Sequence, residues 1–501
     1  MKNIFKILLV LLLVSCESEL EITAPSELNT NGFWTSEEGA KAAHTGLYGS
    51  FRGMQSNFWL LGELRSDVWG GQTFESPANE PLIESNITVS TAPFGGWAGI
   101  YTKIHQLNDF IENVAEISFS NEADKKHMLG QAFGLRAFYY YTLTKTWGAV
   151  PISTESLSDI DPSSLSKPRS SEQEVMNLIK SDLEISLEYF GGDASYWQGK
   201  RIYWSKAATL ALKGDVYIWS GNLLGGGAAD FNTAKTALQQ IAAMDVALEA
   251  NFADLWNTEN EANKEFIFAV DYEQDQATNY YSLLTGRTTE IHPQFDQHGN
   301  PMNEFISNGG NRYGPSEKTL QLIDDPLDTR KDATFTQLYK DDNGGEGYSS
   351  YNADKYFGAI TSKFVGSVDG SVRISDNDVP VYRYADVLLL LAQAKNLLNE
   401  DPSTEINLVR ARAYGSNYDP VIHGYVNGSK TDNANAILNE RYKEFLSEGK
   451  RWWDLRRAGN QYVFNNIEYI DASEEYLLVL PITLDMIGRN PMLEQTAGYP
   501  E

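Results

Sequence analysis

A single cysteine, Cys16, in 501 residues rules out a disulfide framework or a Cys-ligated zinc site, since each needs more than one. Histidine is scarce as well. His44, His105, His127, His292, His298 and His423 are scattered, with no zinc-type pair on one helix face; His292 and His298, on a loop, come nearest and read as surface residues. After the first fifteen residues, no stretch reaches the roughly 20 uncharged apolar residues that a membrane-spanning helix needs. Positive charge is in deficit, 40 Lys and Arg against 68 Asp and Glu, so the chain lacks the basic face that phosphate binding wants, and nucleic acid is not an expected partner. The signatures G-x-S-x-G, G-x-x-x-x-G-K-[ST] and G-x-G-x-x-G are missing, and with them the usual nucleophile, phosphate-loop and dinucleotide chemistries. Paired carboxylates exist by number alone, so a surface glycan-degrading enzyme stands as a rival reading with no positive support, and no catalytic residue is assigned.

The beginning of the chain carries the first positive signal. Lys2 and Lys6 precede an apolar run from Ile7 to Val14, and Ser15 stands directly before Cys16. This order predicts a signal peptide over 1–15 ending in a lipobox, with Cys16 as the lipid-bearing first residue of the mature protein. Two or more acyl tails give stable anchoring at about 0.8 kcal/mol per buried methylene. The acids Glu17, Glu19 and Glu21 that follow, and the acidic composition, leave the lipid rather than the protein surface to hold the chain to an anionic leaflet.

No low-complexity linker divides residues 16–501, which read as one large unit. Helical periodicity is clearest over Trp97 to Ile117 and Ala123 to Trp147, the second stopped by Gly148 and Pro151. Further helices are expected at Glu172 to Tyr189, Ser205 to Trp219, Phe231 to Met244, Arg383 to Leu398, Ile406 to Tyr414 and Ala434 to Ala458. The class is mainly α: a superhelical scaffold of tetratricopeptide type, without a recoverable strict repeat of about 34 residues. Two irregular excursions interrupt it, about 56–96 and 251–381, with short strands at best, such as Glu265 to Val270.

Several ordered blocks then carry a resemblance. They are Tyr382-Arg383-Tyr384-Ala385-Asp386, Val409-Arg410-Ala411-Arg412-Ala413, Glu440-Arg441-Tyr442-Lys443-Glu444, Glu448-Gly449-Lys450-Arg451-Trp452-Trp453-Asp454-Leu455-Arg456-Arg457 and Asn490-Pro491-Met492. Gly134-Leu135-Arg136-Ala137-Phe138 and Trp147-Gly148-Ala149-Val150-Pro151 extend them into the N-terminal half. Over essentially its whole length the sequence resembles the SusD/RagB family, surface lipoproteins that partner TonB-dependent transporters in Bacteroidetes. The resemblance implies four tetratricopeptide-like units packing against a SusC-like transporter, an outer-membrane location facing outward, and a nutrient site in the loop excursions. Read physically, Arg383, Arg410, Arg441 and Arg451 lie among acids and are expected to tie helices together through guanidinium–carboxylate pairs.

The chain is rich in aromatics, 27 Tyr, 22 Phe and 11 Trp. Sugar rings stack their C–H faces on aromatic faces while their hydroxyls bond to Asp, Asn and Arg, so a glycan site needs both classes side by side. The first excursion offers Asn57, Asp67, Trp69 and Gln72; the second offers Tyr272, Asn279, Tyr280, Tyr281 and Arg287, then Asn311, Arg312 and Tyr313. Asn57, Asp67, Trp69, Tyr280, Tyr281, Arg287, Asn311, Arg312 and Tyr313 are the expected ligand contacts, whereas Trp97 continues a helical stripe with Tyr101 and Ile104 and is expected in the core. The run Asp341-Asp342-Asn343-Gly344-Gly345-Glu346 resembles a calcium loop but lacks the bidentate Glu at the required spacing, so it reads as a turn and no cofactor or metal is expected. The function expected is capture of a glycan or oligosaccharide for import, with peptide cargo on the same fold as the alternative.

Overall fold

The computed structural model describes residues 34–71, 80–90, 96–157, 165–310, 313–341 and 354–500. Residues 1–33, with the expected signal segment and Cys16, lie outside the described residues, as do Gln72, Asn311, Arg312 and residues 342–346.

Helices of eight residues or more are α1 Glu37–Arg52, α2 Gln55–Glu63, α3 Ala98–Glu116, α4 Glu122–Trp147, α5 Glu172–Phe190 and α6 Lys206–Leu223. They continue with α7 Gly227–Ile241, α8 Tyr384–Leu397, α9 Ser403–Tyr414, α10 Lys430–Glu444 and α11 Arg451–Ala458. Local chemistry sets many of the boundaries. Ser36, Asn121, Ser171, Ser205 and Ser429 each accept a backbone N–H of the first turn, and Ser171 with Glu174 and Ser429 with Asp432 complete capping boxes. From α3 to α11 each helix packs on its successor, giving the mainly α, tetratricopeptide-like stack that the periodicity predicts. Close approach within it depends on small residues: a Cβ on Gly214 would stand 2.5 Å from Leu238, where α6 meets α7. Arg136 forks onto Asp182 at 2.8 and 2.7 Å and reaches Asn108 at 3.0 Å, joining α4 to α5 and α3. No helix of the described residues is long and apolar enough to cross a membrane.

The helix expected over Ala434 to Ala458 is broken in two. Ser447 and Gly449 adopt φ values of 68° and 74°, and the Glu63 carboxylate collects the backbone N–H groups of Ser447, Gly449 and Lys450 at 2.8, 2.9 and 3.1 Å. A distant carboxylate thus satisfies donors that a continuous helix would have used internally. Gly62 allows the approach, since a Cβ there would lie 1.8 Å from the Gly449 carbonyl oxygen. The first excursion is likewise less irregular than expected, because it opens on α2, and α1 precedes it.

The strands form three antiparallel pairs: β1 Phe266–Val270 with β6 Val379–Arg383, β2 Phe335–Tyr339 with β3 Tyr356–Thr361, and β4 Ser367–Asp369 with β5 Val372–Ile374. All five residues of β1 are buried, and β1 and β6 fasten the second excursion to the start of α8.

Candidate functional site

Most of the aromatics expected to meet ligand are core residues. Trp69 is 3% exposed, edge-on to Trp59 at 5.8 Å and to Tyr313 at 6.1 Å. Tyr280 stacks on Trp59 at 5.1 Å and 23°, and its hydroxyl donates to the Ser447 carbonyl at 2.8 Å. Tyr281 is fully buried, and Tyr313 packs edge-on against Trp59 at 5.1 Å. Residues 313–316 close this box: Gly70 and Gly71 donate to the Gly314 carbonyl, and Ser316 N donates to Val68 O at 2.7 Å. A ring covered on both faces has none left for a sugar, so the expectation for Trp69, Tyr280, Tyr281 and Tyr313 is corrected.

Asp67 is also corrected, from ligand contact to anchor. Arg451 grips both its oxygens at 2.8 and 3.0 Å, and Lys318 adds a third donor at 2.6 Å. Burial alone would raise this carboxyl, but the Arg451 and Lys318 charges outweigh it and hold it below the usual aspartate range. Tyr272 and Asn279 are buried too, Asn279 bonding to the Asn377 carbonyl at 3.0 Å. Asn57 is half-buried on α2 and Arg287 is exposed, at the start of the short helix Thr288–Ile291. Trp97 sits in the core against Tyr101 and Trp147, as its stripe predicts. His292 and His298 are engaged by the Phe305 carbonyl and by Asp332, and among the described residues no cluster of His, Cys, Asp or Glu is arranged to hold a metal ion.

The required side-by-side arrangement occurs elsewhere. A groove of about 420 Å³ runs between α1, the first turns of α4 and the turn that joins α5 to α6. Tyr196, Trp197 and Tyr203 line it half-exposed, next to Lys41, Thr45, Asp124, Asp193 and Gln198. A second hollow of about 180 Å³ shares Thr45 and Tyr203 and continues along α1 to Arg52 and Asp271. The turn is shaped by Gln198 and Gly199, with φ values of 53° and 71°; a non-glycine residue in that region is uncommon and holds Trp197 at a fixed angle to the groove.

Beneath the aromatics a hydrogen-bond chain fixes the floor. His44 Nε2 donates to Gln131 Oε1 at 2.7 Å, Gln131 Nε2 donates to His127 Nδ1 at 2.7 Å, and His127 Nε2 faces the Ser195 carbonyl at 3.4 Å. The Tyr48 hydroxyl donates to the same Gln131 oxygen and accepts from Trp204 N at 3.0 Å. Burial pulls His44 down to about 4, so both imidazoles in this chain are neutral at physiological pH. Tyr203 stacks on His44 at 5.7 Å and 19° and meets Tyr48 edge-on at 4.8 Å, while Trp197 leans on His127 at 5.2 Å. Tyr203 and Trp197 thus rest on histidines of this chain while remaining half-exposed. The sequence signal was present in Tyr196-Trp197-Gln198-Gly199-Lys200-Arg201-Ile202-Tyr203, a turn dense in aromatics between two evident helices.

Comparison with known proteins agrees with this architecture. Residues 248–499 match the family described as the SusD family, and residues 25–218 the one described as starch-binding associating with outer membrane. A SusD-like protein of Formosa agariphila is 28% identical, over 99% of this chain and 99% of its own. The solved structure of B. fragilis NanU superposes with a TM-score of 0.86 at 34% identity, covering 96% of this chain and 100% of that one. A SusD superfamily protein from Bacteroides vulgatus gives a TM-score of 0.83 at 33% identity, covering 93% and 100%.

Proposed function

We propose, from the premise that this chain belongs to the SusD family, that it captures a glycan or oligosaccharide at the cell surface and delivers it to a partner SusC-like, TonB-dependent outer-membrane transporter. The observation that carries the reading is the groove, where supported aromatic faces stand next to hydrogen-bonding side chains. The family description of starch binding in association with the outer membrane supports the same class of cargo. Tyr203 and Trp197 stack on sugar rings, and Asp193, Gln198 and Thr45 take hydroxyls. Asn57 and Arg287, together with Asn311 and Arg312, are proposed as secondary polar contacts. A lipid on Cys16 holds the protein to the membrane, and its role is capture without turnover. A shallow platform leaves much of the ligand in water, so affinity for one short oligosaccharide is modest and selectivity follows ligand curvature.

Calorimetric titration of the protein, truncated to begin at Ser18, against a panel of soluble polysaccharides tests this. Saturable heat with one glycan, weakened about tenfold or more in Tyr203→Ala with the fold retained, is the expected result. Heat with peptides alone would move the cargo to peptides, and shortened glycan after long incubation would replace capture by hydrolysis.

A further inference from the structure

Lys41, Thr45, Gly49 and Arg52 recur at helical spacing along α1, which places them on one face of that helix. Ala40, His44, Leu47 and Phe51 form its buried face. Lys41 and Thr45 line the groove beside Trp197, while Thr45, Gly49 and Arg52 line the hollow of about 180 Å³. Thr45 and Tyr203 border both spaces. The opposite wall of the hollow is the second half of β1, with Asp271 and Gln276 beyond it. From Lys41 to Arg52 the helix advances about 16 Å at 1.5 Å per residue, farther than a disaccharide reaches. Gly49 is exposed, and a Cβ there would meet no atom within 4 Å. Packing does not demand a glycine at this point, and glycine weakens a helix interior relative to alanine; its effect here is to keep the hollow open.

The cations along this stripe are already matched by acids. Lys41 donates to Glu37 at 2.6 Å, and Arg52 lies 3.7 Å from the Asp271 carboxylate and donates to the Asp271 carbonyl at 3.2 Å. Asp124 and Asp193 add negative charge to the groove, and its two histidines are neutral. Just outside the lining, Lys206 donates to the Gly191 carbonyl, and Lys200 and Glu273 act on Asp271 with opposite sign. A carboxylate or sulfate on the ligand would therefore meet more negative than positive charge, and would exchange its hydration for repulsion. Hydroxyls meet no such penalty, because Arg52, Asp271 and Gln276 each keep polar surface in solvent.

We propose that the groove and the hollow are two parts of one binding site, whose ligand is an uncharged oligosaccharide longer than a disaccharide, laid along α1 across Tyr203. The inference rests on capture of a glycan by the groove. Trp197 and Tyr203 hold one stretch of the ligand, and the hollow at Gly49 receives the next, where Arg52, Asp271 and Gln276 take its hydroxyls.

The test is calorimetry on the protein truncated to begin at Ser18, with size-graded neutral oligosaccharides prepared from starch, laminarin and xylan, and oligogalacturonides as an acidic series. Affinity is expected to rise about tenfold or more from the disaccharide to the longer members of one neutral series, with no saturable heat from the acidic one. Gly49→Leu, which favours the helix and fills the hollow, is expected to erase that rise while leaving the disaccharide bound at the groove. Arg52→Gln weakens only the longer ligands, by a few-fold, and decides the matter if Gly49→Leu does not fold; melting temperatures report the fold of both. A neutral series bound equally well at every length, or a length dependence unchanged in the folded variants, would overturn the shared site and leave capture at the groove standing. Saturable binding of oligogalacturonides that Tyr203→Ala removes would overturn the uncharged class. Silence from every series would withdraw glycan capture itself, and this inference with it.

Discussion

Trp59, Trp69, Tyr280 and Tyr313 are 1 to 7% exposed, whereas Tyr196, Trp197 and Tyr203 keep ring surface in solvent. Both sets come from the same residue types, and both include members on turns rather than helices. The difference lies in what crosses above them. Over the first set, residues 313–316 are fastened to residues 68–71 by backbone hydrogen bonds; over the second, the polar residues Asp193, Ser195 and Gln198 stay exposed at the groove edge. An aromatic on a loop is thus a binding residue only where the neighbouring backbone leaves one face uncovered.

The largest effect expected from breaking this contrast is in the closed box. Trp69→Ala is expected to lose about 3–5 kcal/mol of stability, the range for emptying a large buried aromatic site, measured by denaturant unfolding. Loss within about 1 kcal/mol would mean that Trp69 is not a packed core residue. Charge burial gives a comparable figure: Arg383→Met removes a cation that meets Glu265, Glu444 and Glu448 at 2.7, 2.6 and 2.9 Å, leaving Glu265 to Arg412, Glu444 to Arg412 and Arg330, and Glu448 to Lys363 alone, and about 3–5 kcal/mol is expected to disappear. The open groove behaves differently. Trp197→Ala is expected to change stability by less than about 1 kcal/mol, as a half-exposed site does, yet to weaken glycan binding in calorimetry. A loss of stability matching that of Trp69→Ala would erase the distinction between the two clusters.

The smallest expected effect is on pH dependence. Burial, with Glu261 beside it, lifts the Asp378 carboxyl to about 8, and burial lifts Glu261 to about 7. Because these folded values exceed the ordinary ones of 3.8 and 4.5, the folded chain holds extra protons, and their stabilisation is fully present only below those ordinary values and is lost progressively as pH rises toward 8. Asp378→Asn keeps the acceptor for Tyr272 N at 2.9 Å and is expected to flatten this decline in melting temperature. An unchanged slope would show that Asp378 is ionised in the folded protein throughout that range.

Helix identity was legible because three- and four-residue stripes and Ser or Asn caps are local, and seven of the expected helices appear within about four residues of their anticipated bounds. The break between α10 and α11 was not, since Glu63, which draws the turn out of the helix, lies hundreds of residues earlier. α2 escaped notice because Gln55, Trp59, Leu61, Gly62 and Glu63 bury polar and apolar residues alike, which blurs any stripe. The guanidinium–carboxylate ties were legible from their clustering. The site was legible in kind, aromatics next to polar side chains, but not in place, because coverage of Trp69 and Tyr280 depends on contacts between the two excursions and α2. Asp67 shows the same limit: its partner Arg451 belongs to a block that reads as scaffold.

The meeting of Glu63 with the turn at Ser447 spans 384 residues of sequence. At a synthesis rate of about 5–20 residues per second, roughly 20–80 s separate the appearance of these two segments. Until the later one arrives, α2 lacks the surface that Gly62 is shaped to touch and Glu63 lacks its three donors, so the N-terminal helices cannot complete their native packing on their own. Contacts of such range make folding slow, and the chain passes through its early life with this seam open.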